Sequence, residues 1–210
     1  MLAALVAAAF AWAAFATGFA PGTLAAGVPP FAAVFAGLAA WIAVADLRTY
    51  EIPDEANIAL LVAGLAWAAF GAPPASLPLT PALVFGTAAD TPAWAGPLFG
   101  VIDGLARAAI AAGTLLAVRT FYRRARGIEG LGLGDIKLAG AVAPWLAWPD
   151  LPTALFVAVL FALLVIVAAS LAARRRLDMA AWIPFGAFLA PAAWLVWALR
   201  VGGVPIPLLG

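Results

Sequence analysis

Long apolar runs, broken by short polar or Pro/Gly-rich stretches, dominate the chain. A bilayer core takes roughly 20 apolar residues per helix. Leu2–Ala20 meets that length and ends at Pro21-Gly22. It has no basic amino-terminal region and no clear cleavage signal, so it reads as a retained helix rather than a signal peptide. Phe31–Ala45 follows Pro29-Pro30 and stops at Asp46, and Asn57–Phe70 follows, with a start near Asp54. Four further runs are Leu98–Tyr122, Ile136–Trp148, Thr153–Ala173 and Ala181–Leu199. Between them Gly71–Pro97, rich in Pro, Gly and Thr, reads as an external loop carrying a short interfacial helix. The pattern predicts an all-α, polytopic transmembrane helical bundle of about six to seven spans. It shows no internal repeat and no separate soluble domain, so residues 1–210 form a single membrane domain.

Composition agrees with that class: 67% of the residues are hydrophobic and only 10% are charged, too few polar side chains to cover a soluble domain. The placement of the charges gives an orientation. Arg48 follows the second run; Arg119, Arg123, Arg124, Arg126 and Lys137 cluster between the fourth and fifth; Arg174, Arg175 and Arg176 follow the sixth. With seven spans those loops share one side, and the positive-inside rule makes it cytoplasmic. Two runs are short. As helices, Ile136–Trp148 is about 20 Å long and Phe31–Ala45 about 22 Å, against a core of about 30 Å. Carboxylates at their cytoplasmic ends, Asp46 and Asp135, are therefore expected in a protein-lined recess unless the helices extend further.

The residue inventory excludes most catalysts. The net charge of +1 gives no reason to propose nucleic-acid binding, and there is no cysteine and no histidine. Thiolate or imidazole metal sites, cysteine nucleophiles and His-based triads are all ruled out. The two serines, Ser76 and Ser170, neighbour no plausible base, and Lys137 is the only lysine. A hydrolase built on this chain must use carboxylates, whose chemistry requires no metal and no cofactor.

Ionisable residues in a membrane protein are costly and mark functional sites by default. Asp135 stands in Gly132-Leu133-Gly134-Asp135, where glycines allow close backbone approach and unusual dihedrals; alone, it could equally be an ordinary N-cap. Asp46 ends a hydrophobic run, where an acid opposes the helix dipole; alone, it could be a solvated interfacial residue. Glu129 and Lys137 flank the glycine stretch and read individually as solvated loop charges. Asp103 and Arg107, four apart, read as a structural pair. Two aspartates held close share a proton: the neutral one donates a hydrogen bond to a scissile carbonyl, and the ionised one activates water.

Three stretches together match a family. They are Asp46 followed by Ile52-Pro53-Asp54; Glu129-Gly130-Leu131-Gly132-Leu133-Gly134-Asp135-Ile136-Lys137-Leu138, continuing to Trp145-Leu146; and Ile183-Pro184-Phe185-Gly186-Ala187-Phe188-Leu189-Ala190. Over roughly residues 31–199 the chain resembles the type IV prepilin peptidases, bacterial members of the GxGD intramembrane aspartyl proteases. The resemblance implies that Asp46 and Asp135 are the catalytic pair. It also implies that Gly132, Gly134, Lys137, Glu129, Pro53 and Pro184 bind substrate or shape the site. The implied partners are the lipid bilayer and a prepilin or pseudopilin, whose short basic leader is cleaved after a glycine preceding a hydrophobic helix. The implied location is the bacterial inner membrane, with the site facing the cytoplasm. Bifunctional members carry paired CxxC motifs tied to N-methylation; none occurs here, which points to a peptidase-only form. The rival readings are a non-pilin GxGD protease of the signal-peptide-peptidase type and a small proton- or cation-coupled transporter.

Overall fold

The computed structural model describes residues 28–71, 84–85, 91–127, 130–173 and 184–203. The expected first span Leu2–Ala20, most of the Gly71–Pro97 loop, Glu129, Arg174–Arg176 and the first three residues of the last expected span lie outside the described residues. Among the described residues the fold is all-helical: α1 (Val28–Thr49), α2 (Asp54–Phe70), α3 (Ala95–Arg126), α4 (Leu133–Val142), a 3₁₀ turn (Ala143–Trp145), α5 (Asp150–Ala173) and α6 (Gly186–Val201). Three of these helices hold segments long and apolar enough to cross a membrane: Pro30–Thr49, Ala95–Arg126 and Asp150–Ala168. The shorter apolar helix Gly186–Val201 packs against α1 and α5.

Two of the expected boundaries change. The second run extends to Thr49, so Asp46 lies inside the last turn of α1 rather than beyond its end. At 22 residues α1 is about 33 Å long and is not short for a bilayer. The run Ile136–Trp148 is not one helix. Its α-helical part stops at Val142 and tightens into the 3₁₀ turn. Pro144 explains the stop, because it has no N–H for an i→i−4 bond and its ring crowds the preceding turn. The ten residues of α4 reach only about 15 Å, half of a bilayer core.

The core that holds this broken element is aromatic. Phe35 and Trp145 stack at 4.3 Å between ring centroids, and Trp197 meets Trp67 edge-on at 5.1 Å. Trp145, Trp194 and Trp197 are almost fully buried, so these tryptophans pack the interior rather than anchor an interface. The Trp145 indole N–H donates to the Leu60 carbonyl at 2.9 Å. Gly64 makes room for that ring, since a Cβ there would lie 2.6 Å from Nε1 of Trp145.

Asp103 and Arg107 pair at 2.8 Å as their spacing predicts, and both are buried, at 2% and 5% exposure. They also do more than the spacing shows. The Arg107 guanidinium donates to the Leu146 carbonyl, and the Trp148 indole donates to Asp103 at 3.1 Å. The pair therefore satisfies the backbone where the 3₁₀ turn gives way to extended chain. Near the same end, Arg200 of α6 pairs with the buried Asp150 that opens α5, through an Nε–Oδ2 bond of 2.9 Å among others.

Candidate active site

Three helix ends meet opposite the Asp103–Arg107 pair. The first is the last turn of α1. The Tyr50 N–H bonds the Asp46 carbonyl at 3.0 Å, and Tyr50 sits at φ 56°, the left-handed geometry that ends helices but suits glycine better than tyrosine. The chain then runs through Glu51, Ile52 and Pro53 into α2, with Pro53 as its N-cap. This short link carries Ile52 back toward Asp46.

The second end is the start of α4. Gly132 is its N-cap, so Asp135 is not the N-cap but the third residue of the helix. From that position a carboxylate reaches back over the first turn, and Asp135 faces the Gly132 backbone N–H. A Cβ on Gly132 would stand 3.1 Å from Oδ2 of Asp135, and one on Gly134 3.5 Å from Cδ1 of Ile52. Gly132 has an ordinary extended backbone, φ −68° and ψ 147°, and Gly134 is not at positive φ. Close approach, rather than unusual dihedrals, is the role of these two glycines. The loop ahead of them is tied to α3, with Arg119 donating to the Leu131 carbonyl at 3.0 Å.

The third end is the amino terminus of α6. Its N-cap, Phe185, supplies no side-chain acceptor. The first N–H groups of a helix need one, and Asp46 provides it from α1: Oδ2 accepts the Ala187 N–H at 2.8 Å. The Gly186 N–H also faces Asp46, and it faces Asp135 as well. The acid that opposes the dipole of its own helix is compensated by the positive end of another. Asp46 is 4% exposed, whereas Asp135 is half-buried, so the pair opens on the Asp135 side.

Asp135 belongs to α4, outside the three helices long enough to cross a membrane. Its pKa is raised to about 6. Burial contributes most and the nearby Asp46 charge next, while the Gly132 and Gly186 N–H groups oppose them. Two carboxylates in this arrangement titrate as a pair.

The other expected site residues divide. Pro53 and Pro184 open the segments leading into α2 and α6, and the Pro184 carbonyl accepts the Ala187 N–H at 3.3 Å. Lys137 points away from the pair, into an ion pair of 2.7 Å with Asp54; both side chains are more than half exposed. Such a pair is worth about 0–1 kcal/mol. Lys137→Ala should therefore lower stability by no more than about 1 kcal/mol, read as a small shift in thermal unfolding in detergent. Sequence reasoning did not single out Ile52, Gly186 or Ala187 as site residues. The signal lies in the Ile52-Pro53-Asp54 and Pro184-Phe185-Gly186-Ala187 stretches, where a backbone amide and an isoleucine carry no charge to mark them.

These features define an all-α, multi-pass membrane protein whose site pairs two carboxylates at a helix amino terminus. A family model described as the type IV leader peptidase family matches residues 33–167. The chain belongs to that family. It is 36% identical over 110 residues to leader peptidase HopD of Escherichia coli, covering 49% of this chain and 70% of HopD. It is 34% identical over 148 residues to a prepilin leader peptidase/N-methyltransferase of Burkholderia pseudomallei, covering 69% of this chain and 38% of the relative. A protein of the same name from Aeromonas salmonicida is 28% identical over 171 residues, covering 80% of this chain and 50% of the relative. The chain thus spans half or less of the two bifunctional relatives. No solved structure matches it.

Proposed function

We propose that this protein is an intramembrane aspartyl endopeptidase that removes the short basic leader from a prepilin or pseudopilin. In this reading it acts at the cytoplasmic face of the bacterial inner membrane and does not methylate the new terminus. The observation that carries the proposal is the convergence of two carboxylates on the start of α6: Asp46 accepts the Ala187 N–H, and Asp135 lies close enough for the Asp46 charge to act on it. Family membership and the printed names of the relatives support the leader substrate. The basic loops support the cytoplasmic face. The absence of cysteine from these 210 residues supports a peptidase without the N-methyltransferase named in the longer relatives. A transport site would need access from both sides near the midplane, whereas this pair is built from helix ends.

The residues fit distinct roles. Asp46 accepts the helix-terminal Ala187 N–H, an interaction that favours a carboxylate, so it acts as the base. Asp135 carries the shared proton. Asp46 takes a proton from water as the oxygen attacks the scissile carbonyl carbon, and Asp135 gives its proton to the carbonyl oxygen, forming a diol. The C–N bond then breaks as Asp46 returns its proton to the amine and Asp135 recovers one from the diol. Every proton is accounted for without a cofactor.

The test is cleavage by the purified protein, in detergent or liposomes, of a prepilin bearing its leader. The expected result is a mass loss equal to the leader, and an intact substrate beside correctly folded protein would overturn the proposal. A pH profile adds a second check. Asp135 holds its proton below about pH 6 and loses it above. The proton donor is therefore depleted as pH rises, and kcat/KM should fall beyond about pH 6 with a slope approaching about tenfold per pH unit. A rate still rising through pH 8 would contradict Asp135 as the donor.

A further inference from the structure

The loop that leads into α4 is held from the side by α3. Arg119, only 9% exposed, donates its Nη1 to the Leu131 carbonyl at 3.0 Å. Three residues on, Tyr122 shares that face of the helix and takes up the room beside Gly130, where a Cβ would lie 2.8 Å from its ring. The Leu131 carbonyl belongs to the same peptide unit as the Gly132 N–H, the group that Asp135 faces. Geometry places the carboxylate there independently, since a Cβ on Gly132 would stand 3.1 Å from Oδ2 of Asp135. In a planar trans peptide, as this one is, the C=O and N–H point in opposite directions. Arg119 therefore grips one side of the peptide and Asp135 lies on the other. A charged donor on the oxygen polarises the whole unit and fixes the direction of its N–H.

We infer that Arg119 is a positioning residue for Asp135, acting through the Leu131–Gly132 peptide. It touches no reacting atom. Its cation holds the peptide so that the N–H supports the Asp135 carboxylate, which keeps the acid strong enough to give up its proton. The consequence for rate rests on the peptidase reading. No other group around Asp135 duplicates this effect. The α1 helix brings the like charge of Asp46, and α6 brings the uncharged Gly186 N–H. Lys137 of α4 and Asp54 of α2 are paired with each other. Loss of the charged donor therefore raises the pH at which Asp135 titrates.

The experiment compares wild type with Arg119→Lys, Arg119→Gln and Arg119→Leu in detergent, from about pH 5 to about pH 9. Two quantities are followed: kcat/KM on a prepilin, and the carboxyl carbon NMR signal of Asp135 in aspartate-labelled protein, assigned by its loss in Asp135→Asn. Gln and Leu remove the charge, so the Asp135 midpoint and the alkaline limb of kcat/KM should move upward together by about half a pH unit. An N–H bond to a carboxylate is worth about one to two units, and polarisation sets up to about a third of it. The same variants should lose up to about 10²-fold in kcat. Arg119→Lys keeps a charged donor and should stay near wild type in both. Arg119→Gln retains an N–H for the Leu131 carbonyl, so it carries the test if Arg119→Leu does not accumulate. A lower rate with an unmoved midpoint would overturn the inference and leave Arg119 a structural residue. A wild type that leaves the prepilin intact would overturn the peptidase reading, while the NMR midpoints would still decide the role of Arg119.

Discussion

Asp46→Asn and Asp135→Asn each lower leader removal by at least about 10²–10⁴-fold, the usual contribution of a positioned acid or base, while both variants insert and accumulate. The substitution keeps shape and removes only the ability to exchange a proton at the site. Asp46→Asn retains an oxygen that can accept the Ala187 N–H, so the cap on α6 persists and the loss reports chemistry rather than collapse. Asp135→Asn removes the proton donor and the alkaline limb of the pH profile with it. The double variant should be no worse than either single one, because residues acting as a unit are non-additive. Processing at the wild-type rate by either variant, measured on a purified prepilin, would remove the pair from the mechanism.

The second large effect lies at the other end of the bundle. Arg107→Ala strands the Asp103 carboxylate, which is 2% exposed, and leaves the Leu146 carbonyl without its donor. Removing one partner of a buried ion pair costs about 3–5 kcal/mol. The variant should unfold at markedly lower temperature in detergent and accumulate poorly. Replacing both partners with leucine removes the stranded charge and should recover much of the loss. Equal stability of Arg107→Ala and wild type would show that the pair holds nothing together.

Much of this was legible in the sequence. Apolar runs delimit α2, α3 and α5 to within a few residues, because a bilayer-length helix repeats one simple requirement many times. The four-residue spacing of Asp103 and Arg107 gave their pairing, since neighbours on one helix face are fixed by the chain itself. The break at Val142 was less visible. Pro144 stands in a run that is uniformly apolar from Leu138 onward, and hydropathy does not register a missing N–H. Asp135 as the third residue of α4, not its N-cap, also needed coordinates, because helix starts shift by a residue or two without changing the pattern. The link between Asp46 and α6 was the least accessible. It spans 141 positions and ends on a backbone N–H, a group that every residue but proline carries. No side-chain motif announces which amide will be used.

The central claim is that Asp46 and Asp135 face each other at the start of α6 in the membrane-embedded protein. The absence of native cysteine makes this directly measurable. An Asp46→Cys/Asp135→Cys variant has only two thiols, and a bis-thiosulfonate reagent with a one-carbon spacer joins them only if they are close. In isolated membranes, peptide mapping should recover residues 46 and 135 on one bridged fragment pair, with each single variant unbridged. Complete modification of both thiols, each by its own reagent molecule and with no bridged product, would contradict the pairing on which the account stands.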